Sequence, residues 1–116
     1  SDEMLKEKKN AMKRLEQAFD YIDAHYCEKI TLEEVASSVY MSANYFSSYF
    51  RKVTNISFSD YVTRMRINRA RELLREGKKN VTEIAMECGF NNISNFYRLY
   101  KKHVGKTPKD EKSKNS

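Results

Sequence analysis

The sequence predicts an all-α fold built from two helix-turn-helix units joined by a long connecting helix. Three observations carry this. Glycine and proline are scarce, three and one in 116 residues, so little in the chain breaks a helix. Apolar residues recur at three- and four-residue spacing, and no segment alternates as a strand would. The chain also repeats itself: Glu34-Val35-Ala36 and Glu83-Ile84-Ala85 lie 49 positions apart, and Thr31-Leu32 aligns with Asn80-Val81, Val39 with Cys88 and Met41 with Phe90. With one inserted residue, Phe46 matches Phe96, Phe50 matches Tyr100, Arg51-Lys52 match Lys101-Lys102, and Ser57 matches Thr107.

The elements follow in order. Leu15, Ala18, Phe19, Ile22 and Tyr26 form one face of an amphipathic helix from Lys13 to about Tyr26. The charged stretch 1–12 before it reads as a linker remnant, which either extends this helix or frays. Thr31 and Glu34 make a capping-box signature for a short helix from Leu32 to about Val39. Tyr40-Met41 turn the chain, and Ser42 caps a helix to about Val53 with Phe46, Tyr49 and Phe50 inward. Asn55 stands where a left-handed residue is wanted.

Ser57 opens the longest helix, which stops at Gly77; Tyr61, Met65, Ala70, Leu73 and Leu74 suit burial. Arg64, Arg66, Arg69, Arg71 and Arg75 are expected to cover its other faces with charge. Asn80 or Thr82 caps the next helix, through Cys88, and Gly89 turns the chain. A helix from about Ile93 to Val104 ends at Gly105, and Thr107-Pro108 start a last turn. The expected domains are residues 13–56, the connecting helix 57–77, residues 78–109, and a disordered basic tail 110–116.

The net charge of +6 is unevenly placed: −3 over residues 1–35, +6 over 36–79 and +3 over 80–116. Positive charge concentrated on the repeated units is what a polyanion-binding face requires. No apolar run is long enough to span a membrane. Cys27 and Cys88 have no CxxC partner and read as reduced, partly buried thiols of a cytosolic protein. His25 and His103 lack Cys or acidic partners at ligand spacing, so no metal or other cofactor is indicated. Neither a phosphate loop nor a nucleophile elbow occurs, and the chain is not expected to be an enzyme.

A helix-turn-helix that reads DNA needs an alanine-sized residue where its helices cross, an apolar inner face and short polar residues outside. Ala36 and Ala85 supply the first, and Phe46 with Phe50 and Phe96 with Tyr100 the second. Asn44, Ser47 and Ser48 in copy one, and Ser94, Asn95, Tyr97 and Arg98 in copy two, supply the third. A connecting helix of about 20 residues is about 30 Å long, close to the roughly 34 Å between successive major grooves.

Residues 31–108 resemble the DNA-binding domain of the AraC/XylS transcription regulators. The phrases Ser42-Ala43-Asn44-Tyr45-Phe46-Ser47-Ser48-Tyr49-Phe50-Arg51-Lys52, Ile84-Ala85-x3-Gly89-Phe90 and Phe96-x3-Tyr100-Lys101-Lys102-x2-Gly105-x-Thr107-Pro108 carry the resemblance, with Tyr61-x4-Arg66-x3-Ala70-x2-Leu73-Leu74 between them. Val39-Tyr40-Met41-Ser42 is similar to members that end two-component response regulators. The resemblance implies seven helices, with base contacts from Asn44, Ser47 and Ser48, and from Ser94, Asn95, Tyr97 and Arg98. Arg98 is the strongest of these, because arginine grips guanine bidentately. Arg51, Lys52, Lys101 and Lys102 are expected to meet phosphates.

The expected partner is double-stranded promoter DNA in the bacterial cytoplasm, with RNA polymerase a second partner by family analogy. A sensor or receiver domain is expected on the N-terminal side of the full-length protein. The rival class is a helical protein-interaction module, told apart by salt: DNA binding weakens steeply with ionic strength and apolar docking does not. Three departures from the family pattern stand out: Asn55 where glycine is common, Tyr40 where copy two has Gly89, and Glu111-Lys112 where a tyrosine-arginine pair is usual. They imply an altered first turn and a poorly docked last helix.

Overall fold

The computed structural model describes residues 1–113, and among them seven helices and no strand: α1 Asp2–His25, α2 Leu32–Ser38, α3 Ala43–Thr54, α4 Phe58–Glu76, α5 Val81–Glu87, α6 Ile93–Val104 and α7 Pro108–Ser113. They form two compact units. The first holds Ser1–His25 and Ile30–Asp60; the second holds Tyr26–Lys29 and the chain from Tyr61 onward. The boundary falls inside α4, whose residues from Tyr61 belong to the second unit, so the connecting helix is not a separate body.

In the first unit α1 is longer than its apolar periodicity suggests, because residues 2–12 continue the helix and bury Ala11. Leu15, Ala18 and Ile22 of α1 are buried, as are Val35, Ala36 and Val39 of the α2 segment, and α1 packs against α2. The rings of Phe46, Phe50 and Phe58 pack at 5.6–6.0 Å, with Phe19 against Phe50 at 5.6 Å. Thr31 accepts from Glu34 N at 3.1 Å to start α2. Asn55, at φ 65°, closes α3 in the left-handed conformation that the sequence asks of it.

In the second unit Ile67, Ala70, Leu73 and Leu74 of α4 pack with Ile84, Ala85, Cys88, Phe90, Phe96 and Tyr100. Tyr61 and Met65, expected in the core, are half-buried; Val62 and Ile67 take the inward positions of that helix. Asn80, not Thr82, caps α5, and the reciprocal capping box forms here with Glu83.

The C-terminal end corrects the sequence reading. Residues 110–113 are not a disordered tail but the end of α7; residues 114–116 lie outside the described ones. Glu111 is 1% exposed. Its carboxylate accepts from Arg71 Nε at 2.7 Å, Arg75 Nε at 3.3 Å, Lys106 Nζ at 2.9 Å and the Tyr100 hydroxyl at 2.8 Å. Buried charge is tolerated when it is fully paired, so α7, expected to be poorly docked, is held through the acid that stands in place of the usual tyrosine-arginine pair.

Candidate nucleic-acid interface

The turn before each second helix is built identically. In the first unit Tyr40 N donates to Ser37 O at 3.1 Å and Met41 N to Ala36 O at 2.9 Å. In the second, Gly89 N donates to Met86 O at 3.1 Å and Phe90 N to Ala85 O at 2.9 Å. Both are Schellman closures, which need a left-handed residue in the middle. Tyr40 supplies φ 60° and Gly89 φ 101°. The substitution of tyrosine for glycine therefore leaves the hydrogen bonds of the first turn unaltered.

Ser42 Oγ then accepts from Tyr45 N at 3.1 Å, and Asn92 Oδ1 from Asn95 N at 2.9 Å, setting the starts of α3 and α6. Phe46 and Phe50, and Phe96 and Tyr100, are fully buried. At 3.6 residues per turn the opposite stripe of each helix faces out. On α3 that stripe exposes Asn44, Ser47, Ser48 and Arg51, with Lys52 beside it; on α6 it exposes Ser94, Asn95, Arg98, Lys101 and Lys102.

Two candidates stand differently from the rest. Tyr97 is half-buried, its ring and that of Phe96 forming a T-shaped pair with centroids 6.1 Å apart. Arg98 is exposed but already held: Nη2 donates to Asn95 Oδ1 at 2.6 Å. Asn95 thus sets the direction of the guanidinium. The basic residues Arg51, Lys52, Lys101 and Lys102 lie in the last turns of α3 and α6, where cations also suit the helix dipole.

Three features escaped the sequence reading. The first turns of α1 lie along α3: Met4, Glu7, Lys8 and Ala11 share a groove of about 360 Å³ with Tyr45, Ser48, Tyr49 and Lys52. Ser48 therefore borders α1, whereas Asn44, Ser47 and Arg51 do not line that groove. Arg66 is not surface charge: Nε donates to Tyr26 O at 2.6 Å and Nη2 to Glu28 O at 2.8 Å, which ties Tyr26–Lys29 to the second unit. Its partial burial lowers its pKa from the ordinary value. Arg69 pairs with Glu72 at 3.0 Å, and Arg71 and Arg75 with Glu111.

Cys27 and Cys88 are both free thiols. Burial pushes Cys88 up to about 12 and raises Cys27 as well, so both are neutral and weakly nucleophilic at pH 7. Among the described residues no group of three His, Cys, Asp or Glu could hold a metal ion, and no helix is long and apolar enough to cross a membrane.

A helix-turn-helix domain family matches residues 35–113. The regulatory protein PocR of Salmonella typhimurium is 39% identical over 95 residues, covering 82% of this chain and 31% of PocR. The chain thus spans about a third of the length of the curated relatives it matches. Among solved structures, the transcriptional regulator of Chromobacterium violaceum with an AraC-type DNA-binding domain superposes with a TM-score of 0.83 at 26% identity, covering 91% of this chain and 95% of that one. The C-terminal domain of the two-component response regulator yesN from Fusobacterium nucleatum gives 0.79 at 30% identity, covering 84% and 95%.

Proposed function

The chain belongs to the AraC/XylS family of helix-turn-helix transcription regulators, and on that premise we propose that it binds double-stranded promoter DNA sequence-specifically, α3 and α6 each entering a major groove. The duplicated reading head supports this most directly. Both helices hang from the same Schellman turn, bury a ring pair and turn short polar side chains outward.

Within this reading Arg98 is the principal base contact, with Ser94 beside it and Asn95 holding its guanidinium. Asn44 and Ser47 read from α3, with Ser48 at the margin next to α1. Tyr97 contributes only the part of its half-buried ring left exposed beside Phe96. Arg51, Lys52, Lys101 and Lys102 meet phosphates, which position the protein without carrying sequence information. The full-length protein acts in the cytoplasm, carries a sensor or receiver domain as well, and contacts RNA polymerase.

Selection from random duplexes at two salt concentrations tests this. Two short enriched blocks about 10 base pairs apart, one helical turn, with steeply salt-dependent affinity, are expected. One block alone would leave one helix without a base-reading role. No enrichment at either salt would replace the DNA reading with a protein-interaction module. Arg98→Ala should cost about 1–3 kcal/mol and relax preference at one position; an equal loss on every sequence would make Arg98 a phosphate contact.

A further inference from the structure

Of the five arginines along α4, four are engaged within the protein: Arg66 on two carbonyls, Arg69 on Glu72, and Arg71 and Arg75 on Glu111. Arg64 differs. It is exposed, and among the described residues it has no hydrogen-bond or ion-pair partner. Arg64, Asn68 and Arg71 follow each other at four- and three-residue spacing, so they share one stripe of α4. That stripe faces Lys102 and His103 at the end of α6 across an open cleft of about 320 Å³, and no carboxylate lines it. Lys102, like Arg64, is exposed and lacks an acidic partner among the described residues.

The position of the cleft says which anion it suits. Lys102 lies one turn beyond Arg98 and two beyond Ser94, so the cleft opens at the C-terminal end of the outward stripe of α6. A recognition helix that puts its N-terminal turns into the groove leaves that end beside the sugar-phosphate backbone. A guanidinium fork, an ammonium and an amide donor around one opening match the oxygens of a phosphodiester.

We propose that this cleft grips a backbone phosphate of the bound DNA, with Arg64 and Asn68 as contacts additional to Lys102. The inference rests on the DNA-binding reading above. Arg64 then anchors α6 in register from a different helix, and its contribution is blind to sequence.

The test measures binding of the chain to its selected duplex across a salt series, for the wild type, Arg64→Ala, Arg64→Lys, Asn68→Ala and Lys101→Ala. Arg64→Ala should weaken all duplexes alike, by about tenfold, and reduce the salt slope by about 0.9. Arg64→Lys keeps the charge and should keep the slope. Asn68→Ala should weaken binding with the slope unchanged. Because Arg64 has no partner to lose, its variants should melt like the wild type by circular dichroism. Wild-type affinity and slope in Arg64→Ala, with Lys101→Ala still weakened, would overturn the phosphate grip alone and leave the cleft to an acidic protein surface. A loss confined to certain sequences would overturn it too, by making Arg64 a base contact. No duplex binding by the wild type at any salt would remove the DNA reading and this inference with it.

Discussion

The two helix-turn-helix units solve the same turn with different residues. Tyr40 is 85% exposed, and its carbonyl accepts from Arg14 Nη1 at 3.3 Å. Open space around it lets a bulky residue occupy a left-handed conformation that costs roughly 1–2 kcal/mol. Gly89 has no such room: a Cβ there would stand 2.9 Å from Arg66 Nε and 3.0 Å from Cys27 O. The difference lies in what surrounds the turn. In the second unit Arg66 crosses behind the turn to hold Tyr26–Lys29, and only a residue without a side chain leaves it space. The backbone hydrogen bonds alone do not reveal this, since both turns close alike.

The units also differ in how they anchor their recognition helices. The first relies on a cluster of phenylalanine rings, which no change of pH alters. The second adds the Glu111 hub, whose carboxylate is held down to about 2 despite its burial, by hydrogen bonds from Lys106, Tyr100, Arg71 and Arg75. The same burial and bond raise the Tyr100 hydroxyl far above its ordinary value.

The largest break in the comparison should come from that hub. Glu111→Ala leaves the Tyr100 hydroxyl buried and unpaired and should cost the second unit about 2–3 kcal/mol. Hydrogen exchange in α6 should rise while exchange in α3 stays near wild type; equal loosening of both would refute separate anchoring. Acid should act the same way. A folded pKa below the ordinary carboxylate value means that the stabilisation is complete above about 4.5 and fades as pH falls toward about 2. Helicity of the second unit should be lost first over that window, and Glu111→Gln should remove the difference.

Gly89→Ala comes next. It combines left-handed strain with displacement of the Arg66 guanidinium, so a loss of about 2 kcal/mol or more is expected in thermal melts. A neutral Gly89→Ala would mean that Arg66 yields easily. The smallest effect runs the other way: Tyr40→Gly should relieve strain and stabilise the first unit by about 1 kcal/mol. If Tyr40→Gly instead destabilises, the exposed ring has packing value that its exposure hides.

Much of the fold was legible because the signals were local. Ser42 as a cap, Asn55 and Gly105 as left-handed stops and the ring spacing of α3 and α6 each depend on neighbours within a few residues. The outward candidates Asn44, Ser47 and Arg98 follow from the same periodicity, since the opposite of a buried stripe is exposed. What stayed hidden involved partners far apart in sequence. Arg66 and Tyr26 are 40 residues apart, and so are Arg71 and Glu111. Nothing in an arginine-rich helix announces which guanidinium will find a carbonyl, which a carboxylate and which only solvent.

The sequence by itself determined the helices, their caps, the duplication and the stripe each recognition helix turns outward. Periodicity and capping are short-range physics, and the residues that decide them sit side by side. Tertiary structure decided that Tyr26–Lys29 joins the second unit, that a buried Glu111 docks α7, and that among the described residues Arg64 alone of the α4 arginines has no hydrogen-bond or ion-pair partner. These outcomes turn on which charged groups become buried together. Desolvation makes an unpaired charge costly inside and harmless outside, so the fate of each charge depends on packing that no short window contains.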